Sequence, residues 1–583
     1  MKFYYDLDKS SKFLAGLIGI GLFGFLCVVA AKLCYYHLAN HTPLTREYSV
    51  DLIGLRGSVF DRNGRSTPLA MTLPARLVFL DPLDPKFTRS KKPISKDYVA
   101  RELGGLLKMD DRQIFNMLQR TDSRYIQLDV TLDDNVISNL NFRVSAAAKD
   151  QQLAGVGLKE EPVRRYPQGR RMAHVIGFAN KLGVGGAGVE LKFDSMLKGV
   201  PGKIDGEKDA RQAEIFTKRK EKIDPIPGAD VHLTLDHMIQ YIAERELRAT
   251  IDKFQATGGF VIVQKVKTGE ILAMASYPEF DPNNYTQETP ETWRNNALAI
   301  VYEPGSTMKS MIVSAALNEG VITPSSRFDV GYGPWFYAGK PLRDHVTGVV
   351  DTGTALKKSS NIACAKIGLM LGNQRMENYL RAFGFGSKLG IDLPGEESGI
   401  LAKTKHWSML SPTRIAIGQG VAVTGIQMLN AYCTIANGGR LMRPYVVSRI
   451  VNSDGVVLVQ NKPEVLGRPI TAETARKVRE MLRGVTEDGG TATRANVRGY
   501  TVAGKTGTAQ MVIGGTYSQT DYHASFVGYL PATAPEIGII VVIERPKPQH
   551  TGGYVSAPAF SRIAEATANY LGIPSDLKEG EIE

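Results

Sequence analysis

From Phe13 to Ala31 the chain carries no charged residue, 19 consecutive positions reading FLAGLIGIGLFGFLCVVAA. At 1.5 Å rise per residue, a helix of that length nearly crosses a hydrocarbon core of ~30 Å. The apolar run continues weakly past Lys32 to Leu38. Val29-Ala30-Ala31 resembles a cleavage site, but the run exceeds the ~7–15 residues of a secretory signal core, so a retained anchor is expected over 13–36. Lys2, Lys9 and Lys12 precede it. Positive charge stays cytoplasmic, so 1–12 reads as a short cytoplasmic tail and the remainder of the chain as lying outside. No second run of comparable length follows, which excludes a polytopic membrane protein.

The exterior part has ordinary globular composition, with 43% hydrophobic and 22% charged residues, which excludes a wholly disordered chain. At about 150 residues per domain the length suggests roughly four domains. The 71 Lys and Arg against 59 Asp and Glu give a net charge of +12. That is modest for the length, and it reads as a solvated basic face or proximity to an anionic surface, with no nucleic-acid partner expected. Four cysteines build no disulfide framework. Cys27 and Cys34 belong to the anchor, while Cys364 and Cys433 either pair or remain buried thiols.

Residues 37–230 read as one non-catalytic region with short apolar stretches. In Arg56–Gly64 (RGSVFDRNG) a strand enters a turn at which Asn-Gly supplies positive φ angles. GVELKFDSMLKGVPG, from Gly188 to Gly202, reads as one short amphipathic helix closed by Gly and Pro. TKRKEKIDPIPG at 217–228 is charged and then rich in Pro and Gly, and marks a boundary. From Val231, VHLTLDHMIQYIAEREL passes from strand to helix. GGFVIVQKVKTGEILAMASYP reads as a hairpin around Lys267–Glu270. Tyr522–Pro531 and Glu536–Arg545 are strand-like, and a helix is expected from Ala557 to about Leu571. Strands at both ends with helices between them predict an α+β domain over 231–575, followed by a tail at 576–583.

Two patterns match nucleotide motifs by letter only. Gly499–Thr506 fits the phosphate loop G-x-x-x-x-G-K-T, but polar TATRANVR precedes it and β-like TGTAQMVIGG follows. Gly183–Gly188 fits G-x-G-x-x-G outside any βαβ unit. The nine His residues form no H-E-x-x-H and no Cys/His cluster, so neither a metal nor a cofactor is expected.

The pattern S-x-x-K occurs at Ser195/Lys198, Ser306/Lys309 and Ser575/Lys578. Ser195 lies in the first region and Ser575 in the polar tail. Ser306 follows Glu303-Pro304-Gly305 and heads a predicted helix with Met308, Met311, Ile312 and Ala315 on one face and Gly320 at its end. Positions i and i+3 share a helix face about 5–6 Å apart, so Lys309 can reach the Ser306 hydroxyl at the positive end of the helix. A lysine acts as a base only when neutral. Burial and a second cation both lower its pKa from ~10.4. Lys505 is the candidate cation. Together with Thr506 and Thr508 on a strand where Gly507 admits a ligand, it would grip a carboxylate. The N–H groups of Ser306 and Thr508 would form an oxyanion hole. Between these segments, Ser359 can relay a proton and the Asn361 amide can hold a peptide.

S-x-x-K, S-x-N and K-T-G, in that order, resemble the signature of serine penicillin-recognising enzymes. RGSVFDRNG, RRYPQGRRMAHVIGFAN and GVELKFDSMLKGVPG resemble the pedestal boxes of class B penicillin-binding proteins. YEPGSTMK, SSNIACAKIG, IAIGQGVAVTGIQM and GGYVSAPAF resemble the division-specific, FtsI-type members. The likeness spans about Arg56 to Phe560. It implies a transpeptidase domain of the serine β-lactamase-like fold, preceded by an elongated, dimerisation-like pedestal and one transmembrane helix. It also implies a D,D-transpeptidase that crosslinks peptidoglycan stem peptides ending in D-Ala-D-Ala, through an acyl-enzyme on Ser306, and that β-lactams inhibit. Lys309, Ser359, Asn361 and Lys505 are implied as its catalytic residues, with Thr506, Gly507 and Thr508 binding substrate. The place implied is the bacterial inner membrane at the septum, beside a SEDS-family glycosyltransferase and other divisome proteins. No glycosyltransferase domain is recognisable within 37–230. Gly425 and Ile426 replace the usual Pro and Leu of a V-T-P-L-Q segment, which bears on local packing.

The alternatives are an elongation-type transpeptidase of the same class, a β-lactam-hydrolysing or sensing protein, and a scaffold with an inert transpeptidase fold. Arg56, Asp61, Arg164, Arg165 and Glu190 read as a buried polar network fixing the pedestal. His174 reads as a structural hydrogen-bonder, and KRKEK at 218–222 as a solvated face.

Overall fold

The computed structural model describes residues 8–39, 46–90, 92–128, 134–145, 148, 152–209 and 214–577. Lys2, Lys578 and the expected tail beyond 577 lie outside the described residues. The chain separates into two compact units, Met1–Gly54 with Val200–Ile226 and Leu55–Gly199 with Pro227–Glu583.

In the first unit, helix α1 (Lys9–Ala39) is long and apolar enough to cross a membrane, and its large apolar side chains from Phe13 to Leu38 are exposed. An antiparallel sheet follows, with Arg46–Leu52, Gly202–Lys208 and Glu221–Ile223 side by side. The KRKEK segment is a solvated, ion-paired face, as expected. Lys218 meets Glu207 at 2.8 Å and Arg219 meets Glu214 at 2.8 Å.

In the second unit, the helices that frame the chemistry are α2 (His237–Phe254), α3 (Lys309–Asn318), α4 (Thr352–Lys357), α5 (Asn361–Leu371), α6 (Gly425–Ala436) and α7 (Gly552–Leu571). Five strands, β1 (Gly258–Lys265), β2 (Ile271–Tyr277), β3 (Ala503–Ile513), β4 (Thr516–Leu530) and β5 (Ile537–Glu544), form an antiparallel sheet in the order β2-β1-β5-β4-β3. β1, β2 and β5 are buried at nearly every position, so both faces of the sheet are covered. α2, α6 and α7 pack on it. The expected hairpin is β1–β2, and its turn uses Gly269 at φ 84°. The strand β3 is one of the sheet's two edges, which among the described residues leaves one row of its backbone groups without a strand partner.

A second sheet runs in the order Val457–Gln460, Val447–Val451, Asp230–Leu233, Val59–Phe60, Pro68–Leu80, Ile126–Leu128, and Val156–Arg165 also pairs with Pro68–Leu80. Val59 lies parallel to Val231, so the RGSVF strand extends a sheet that spans both sides of position 230. A separate small core forms where Val78 and Leu80 meet Val99, Leu103, Ile114 and Leu140.

Several local expectations change. Only Gly64 takes positive φ (84°), while Asn63 is right-handed at −82°, so the turn enters a 3-10 segment instead of closing a two-residue hairpin. The 188–202 segment is two short helices, Gly188–Lys192 and Asp194–Leu197, broken at Phe193. The last helix begins at Gly552, five residues before Ala557, and carries Pro558 in its second turn. Ser575 and Asp576 are not a loose tail. Ser575 Oγ donates to Gly499 O, and the Asp576 carboxylate accepts from Thr501 N at 2.7 Å, clasping the chain just before β3. Cys364 and Cys433 are buried and unpaired.

Thr424 caps α6 in a capping box with Gln427. A Cβ on Gly425, the first residue of that helix, would lie 2.2 Å from the Phe260 ring. Proline suits the first helical position in isolation, but here the space is filled. Gly425→Pro is therefore expected to lower stability by about 1–3 kcal/mol through overpacking, read from the thermal midpoint. An unchanged midpoint would show that the Phe260 ring yields.

Candidate active site

Ser306 lies in a 3-10 turn, Gly305–Met308, that runs directly into α3. Its neighbours Gly305, Thr307 and Met308 are buried, while Ser306 is partly exposed. Gly305 is left-handed (φ 55°), and its N–H donates to Gly418 O at 3.1 Å. Gly418 presses so close that a Cβ there would sit 2.0 Å from Gly305 O. From beneath, the buried Tyr432 hydroxyl of α6 donates to Thr307 O at 2.9 Å and pairs with Ser310 Oγ at 2.8 Å. The turn bearing the serine is thus clamped on both sides by residues remote in sequence.

Lys309 is fully buried. The expected Ser306 contact is not the one it makes. Its Nζ donates to Ser359 O at 2.6 Å, Ser359 Oγ at 3.1 Å and Asn361 Oδ1 at 2.7 Å. An ammonium satisfies all three acceptors. A neutral amine keeps two and receives the third bond from the Ser359 hydroxyl, so proton exchange between Lys309 and Ser359 needs no rearrangement.

Ser359 owes its place to a helix end. It is left-handed (φ 59°) after α4. Ser359 N donates to Leu356 O at 3.1 Å and Ser360 N to Ala355 O at 2.8 Å, the paired bonds of a Schellman cap. Ser360 then caps α5, its Oγ accepting from Ala363 N at 3.1 Å. A helix stop and a helix start in adjacent residues hold Ser359 and Asn361 against the lysine. The Asn361 amide is fixed at both ends, with Oδ1 on Lys309 and Nδ2 donating to Arg343 O at 3.1 Å.

Lys505 is also fully buried, on edge strand β3 opposite Val527. Burial is the first cause of depression for both lysines. It pushes Lys309 down to about 8 against the opposing pull of Cys364 and Asp344. Lys505, further depressed by the Lys309 charge, falls to about 7. Lys505 Nζ reaches Thr506 Oγ1 at 3.4 Å, and Thr506 Oγ1 pairs with Thr491 Oγ1 at 3.3 Å. Thr508 is exposed, and its Oγ1 accepts from Gly552 N at the head of α7 at 3.1 Å. A Cβ on Gly507 would meet Ser525 Oγ at 2.3 Å and Pro304 O at 2.9 Å. Where the sequence reading left that space for a ligand, the protein itself fills it, bringing β3 up to the nucleophile turn. A Cβ on Gly305 would lie 3.2 Å from Thr508 O, so the backbones expected to form an oxyanion hole run side by side.

The remaining S-x-x-K serines are elsewhere. Ser195 lies in the short Asp194–Leu197 helix, and Ser575 in the clasp on Gly499. Lys505 stands inside a strand with no helix after it, which removes the phosphate-loop reading. His174 is structural as expected. Its Nε2 meets Thr292 O at 3.0 Å, and burial lowers its pKa to about 4. Within the pedestal boxes, Glu190 binds Arg56 (2.6 Å) and Arg164 (2.7 Å). Asp61 instead faces His237 Nδ1 at 2.8 Å, and Arg165 joins neither group. Sequence reading missed Tyr432, Gly418 and Asp344. Gly418 stood within a recognised box, but the other two carry no local signal.

The penicillin-binding protein transpeptidase domain model matches residues 259–565, and the penicillin-binding protein dimerisation domain model matches 52–233. Stage V sporulation protein D of Bacillus subtilis is 32% identical, covering 89% of this chain and 78% of its own length. The peptidoglycan D,D-transpeptidase FtsI of Escherichia coli K12 is 31% identical, over 89% of this chain and 84% of its own. Among solved structures, penicillin-binding protein 3 of Mycobacterium tuberculosis complexed with aztreonam is 26% identical with a TM-score of 0.69, covering 91% of this chain and 98% of that one. With a transpeptidase model covering more than half its length and relatives of this identity over most of theirs, the chain belongs to the class B penicillin-binding proteins, the peptidoglycan D,D-transpeptidases with a pedestal of the dimerisation type.

Proposed function

We propose that this protein crosslinks peptidoglycan stem peptides during cell division by ping-pong acyl transfer through Ser306. The observation that carries this reading is a partly exposed serine at a helix head, with fully buried Lys309 one helical turn on and fully buried Lys505 on the strand that Gly507 brings against the serine's turn, both lysines of depressed pKa. Ser306 Oγ attacks the carbonyl of the penultimate D-Ala, and its proton passes to neutral Lys309. The C–N bond breaks, and terminal D-Ala leaves with a proton relayed through Ser359. An amine of a neighbouring stem attacks the ester, the C–O bond breaks, and Ser306 regains its proton as the new peptide bond forms. Lys505, Thr506 and Thr508 face the donor's terminal carboxylate, Asn361 positions the peptide, and Gly507 lets strand and nucleophile close. β-Lactams present the same carboxylate and carbonyl.

The proposed layout is a cytoplasmic tail at 1–12, an anchor at 13–36, a pedestal at 37–230, the transpeptidase at 231–575 and a tail at 576–583 whose first residue, Asp576, is clasped to Thr501. The protein would sit in the inner membrane at the septum, with its catalytic part outside, beside a SEDS-family glycosyltransferase and other divisome proteins. The peptidoglycan D,D-transpeptidase FtsI and a stage V sporulation protein both stand among its relatives. Depletion giving filaments supports the division role, and depletion giving spheres supports elongation.

The chemistry is tested by mass spectrometry of the penicillin-labelled protein across pH. The adduct is expected on the peptide bearing Ser306. The acylation rate should rise with pH along a limb near 8, because the neutral fraction of Lys309 grows as pH passes its pKa. An adduct on any other serine overturns the reading.

A further inference from the structure

Asp344 stands outside every S-x-x-K, S-x-N and K-T-G position, yet it touches the middle one. Its Oδ1 accepts from Asn361 N at 3.2 Å. Its Oδ2 accepts from Ile362 N at 3.0 Å and from the Ser360 hydroxyl. The residue before it, Arg343, supplies the carbonyl that holds the Asn361 side chain at 3.1 Å. Two consecutive residues therefore fix both the backbone and the amide of Asn361, and Asn361 Oδ1 in turn holds Lys309 at 2.7 Å.

We propose that Asp344 is a positioning residue of the acyl-transfer site, whose carboxylate locks the start of α5 and thereby aims Asn361 and Ser359 at Lys309. The inference rests on the Ser306 reading above and deepens it.

Three features support the assignment. A carboxylate at a helix start completes donors that the helix cannot satisfy itself and meets its positive end. The geometry is shared: Ser360 caps α5 from within while Asp344 holds Ser360 from outside, so the carboxylate sits one bond behind the cap. The charge is also of the right sign to matter. The groups acting on the Lys309 ammonium are Cys364 on α5 and Asp344, and the Lys309 charge in turn depresses Lys505 on β3. Asp344 favours the charged lysine, while burial opposes it. Asp344 comes from the segment just after the Trp335–Tyr337 and Lys340–Leu342 hairpin, so that exposed feature is joined directly to the proton-handling pair.

The test is the acylation rate of the full chain with a fluorescent penicillin between pH 5 and 9. Asp344→Asn keeps the shape and can keep the Oδ2 bonds but not the one to Asn361 N. It is expected to slow acylation about tenfold. It should also move the acid limb to lower pH by about one unit, since losing the negative charge eases deprotonation of Lys309. Asp344→Glu restores the charge but misplaces it, so the limb should return to its wild-type position while the rate stays reduced. An Asp344→Asn protein with wild-type rate and limb overturns the proposal. Were that variant to fail to fold, Asp344→Glu acylating at the wild-type rate overturns it equally. Failure of the underlying reading looks different, since wild-type protein would then carry its adduct away from Ser306 whatever stands at 344.

Discussion

Ser306→Ala is expected to abolish covalent labelling by fluorescent penicillin, and with it crosslinking by the purified protein. Removing a catalytic nucleophile costs on the order of 10⁶ in turnover, which places the residual rate below detection. The variant should fold normally, because the Ser306 side chain takes no part in the bonds that clamp its turn. Those run through Gly305 N, Thr307 O and Ser310 Oγ. Ser195→Ala and Ser575→Ala serve as matched controls. Each removes a serine followed three places later by lysine, and each is expected to leave labelling in place. Neither lies near two buried amines: Ser195 sits in a four-residue helix, and Ser575 donates to a backbone carbonyl. Labelling that survives Ser306→Ala would remove the nucleophile from the account.

Glu190→Ala is expected to cost about 3–5 kcal/mol of stability, because it strips the carboxylate from between two buried guanidinium groups. Glu190 is fully buried, and Arg56 and Arg164 are nearly so. Its Oε2 takes Arg56 Nε at 2.6 Å and its Oε1 takes Arg164 Nε at 2.7 Å, with the Tyr166 hydroxyl adding 3.2 Å. Arg56 retains Asp194 at 2.7 Å, but among the described residues Arg164 has no second carboxylate and its Nη2 already lacks a partner. The loss should appear as a lower denaturant midpoint and as protease cleavage within 55–199. Glu190→Gln, which keeps the shape and one acceptor oxygen, should cost clearly less. A Glu190→Ala midpoint indistinguishable from wild type would mean that the two arginines reach solvent.

These two sites show how far the linear chain could be read. The long apolar helix α1, the β1–β2 hairpin and the strands β4 and β5 were legible because apolar runs and periodicity act over short range. The order S-x-x-K, S-x-N, K-T-G was legible because it is written directly in the residues and their spacing. The contacts among them were not. The i, i+3 rule placed Lys309 beside Ser306, but a serine held left-handed by a Schellman cap and an asparagine locked by Arg343 take all three of its bonds. The rule knows nothing of a partner fifty residues away. Gly507 looked like room for a ligand because a sequence does not show that Pro304 and Ser525 occupy it. Of the five polar pedestal residues grouped by composition, Arg56, Arg164 and Glu190 meet, whereas Asp61 faces His237. Charge identifies candidates for pairing but not the pairs.

The bend between α4 and α5 has a consequence for anyone who sets out to make this protein hardier. At φ 59° a glycine would rest without strain, and replacing Ser359 by one is what a search for robustness would favour. The hydroxyl that such a change discards is the one beside Lys309. A selection scored on heat resistance alone would therefore weigh relief of the left-handed backbone against one acceptor of a buried amine, and it would be blind to the proton relay proposed above for that hydroxyl.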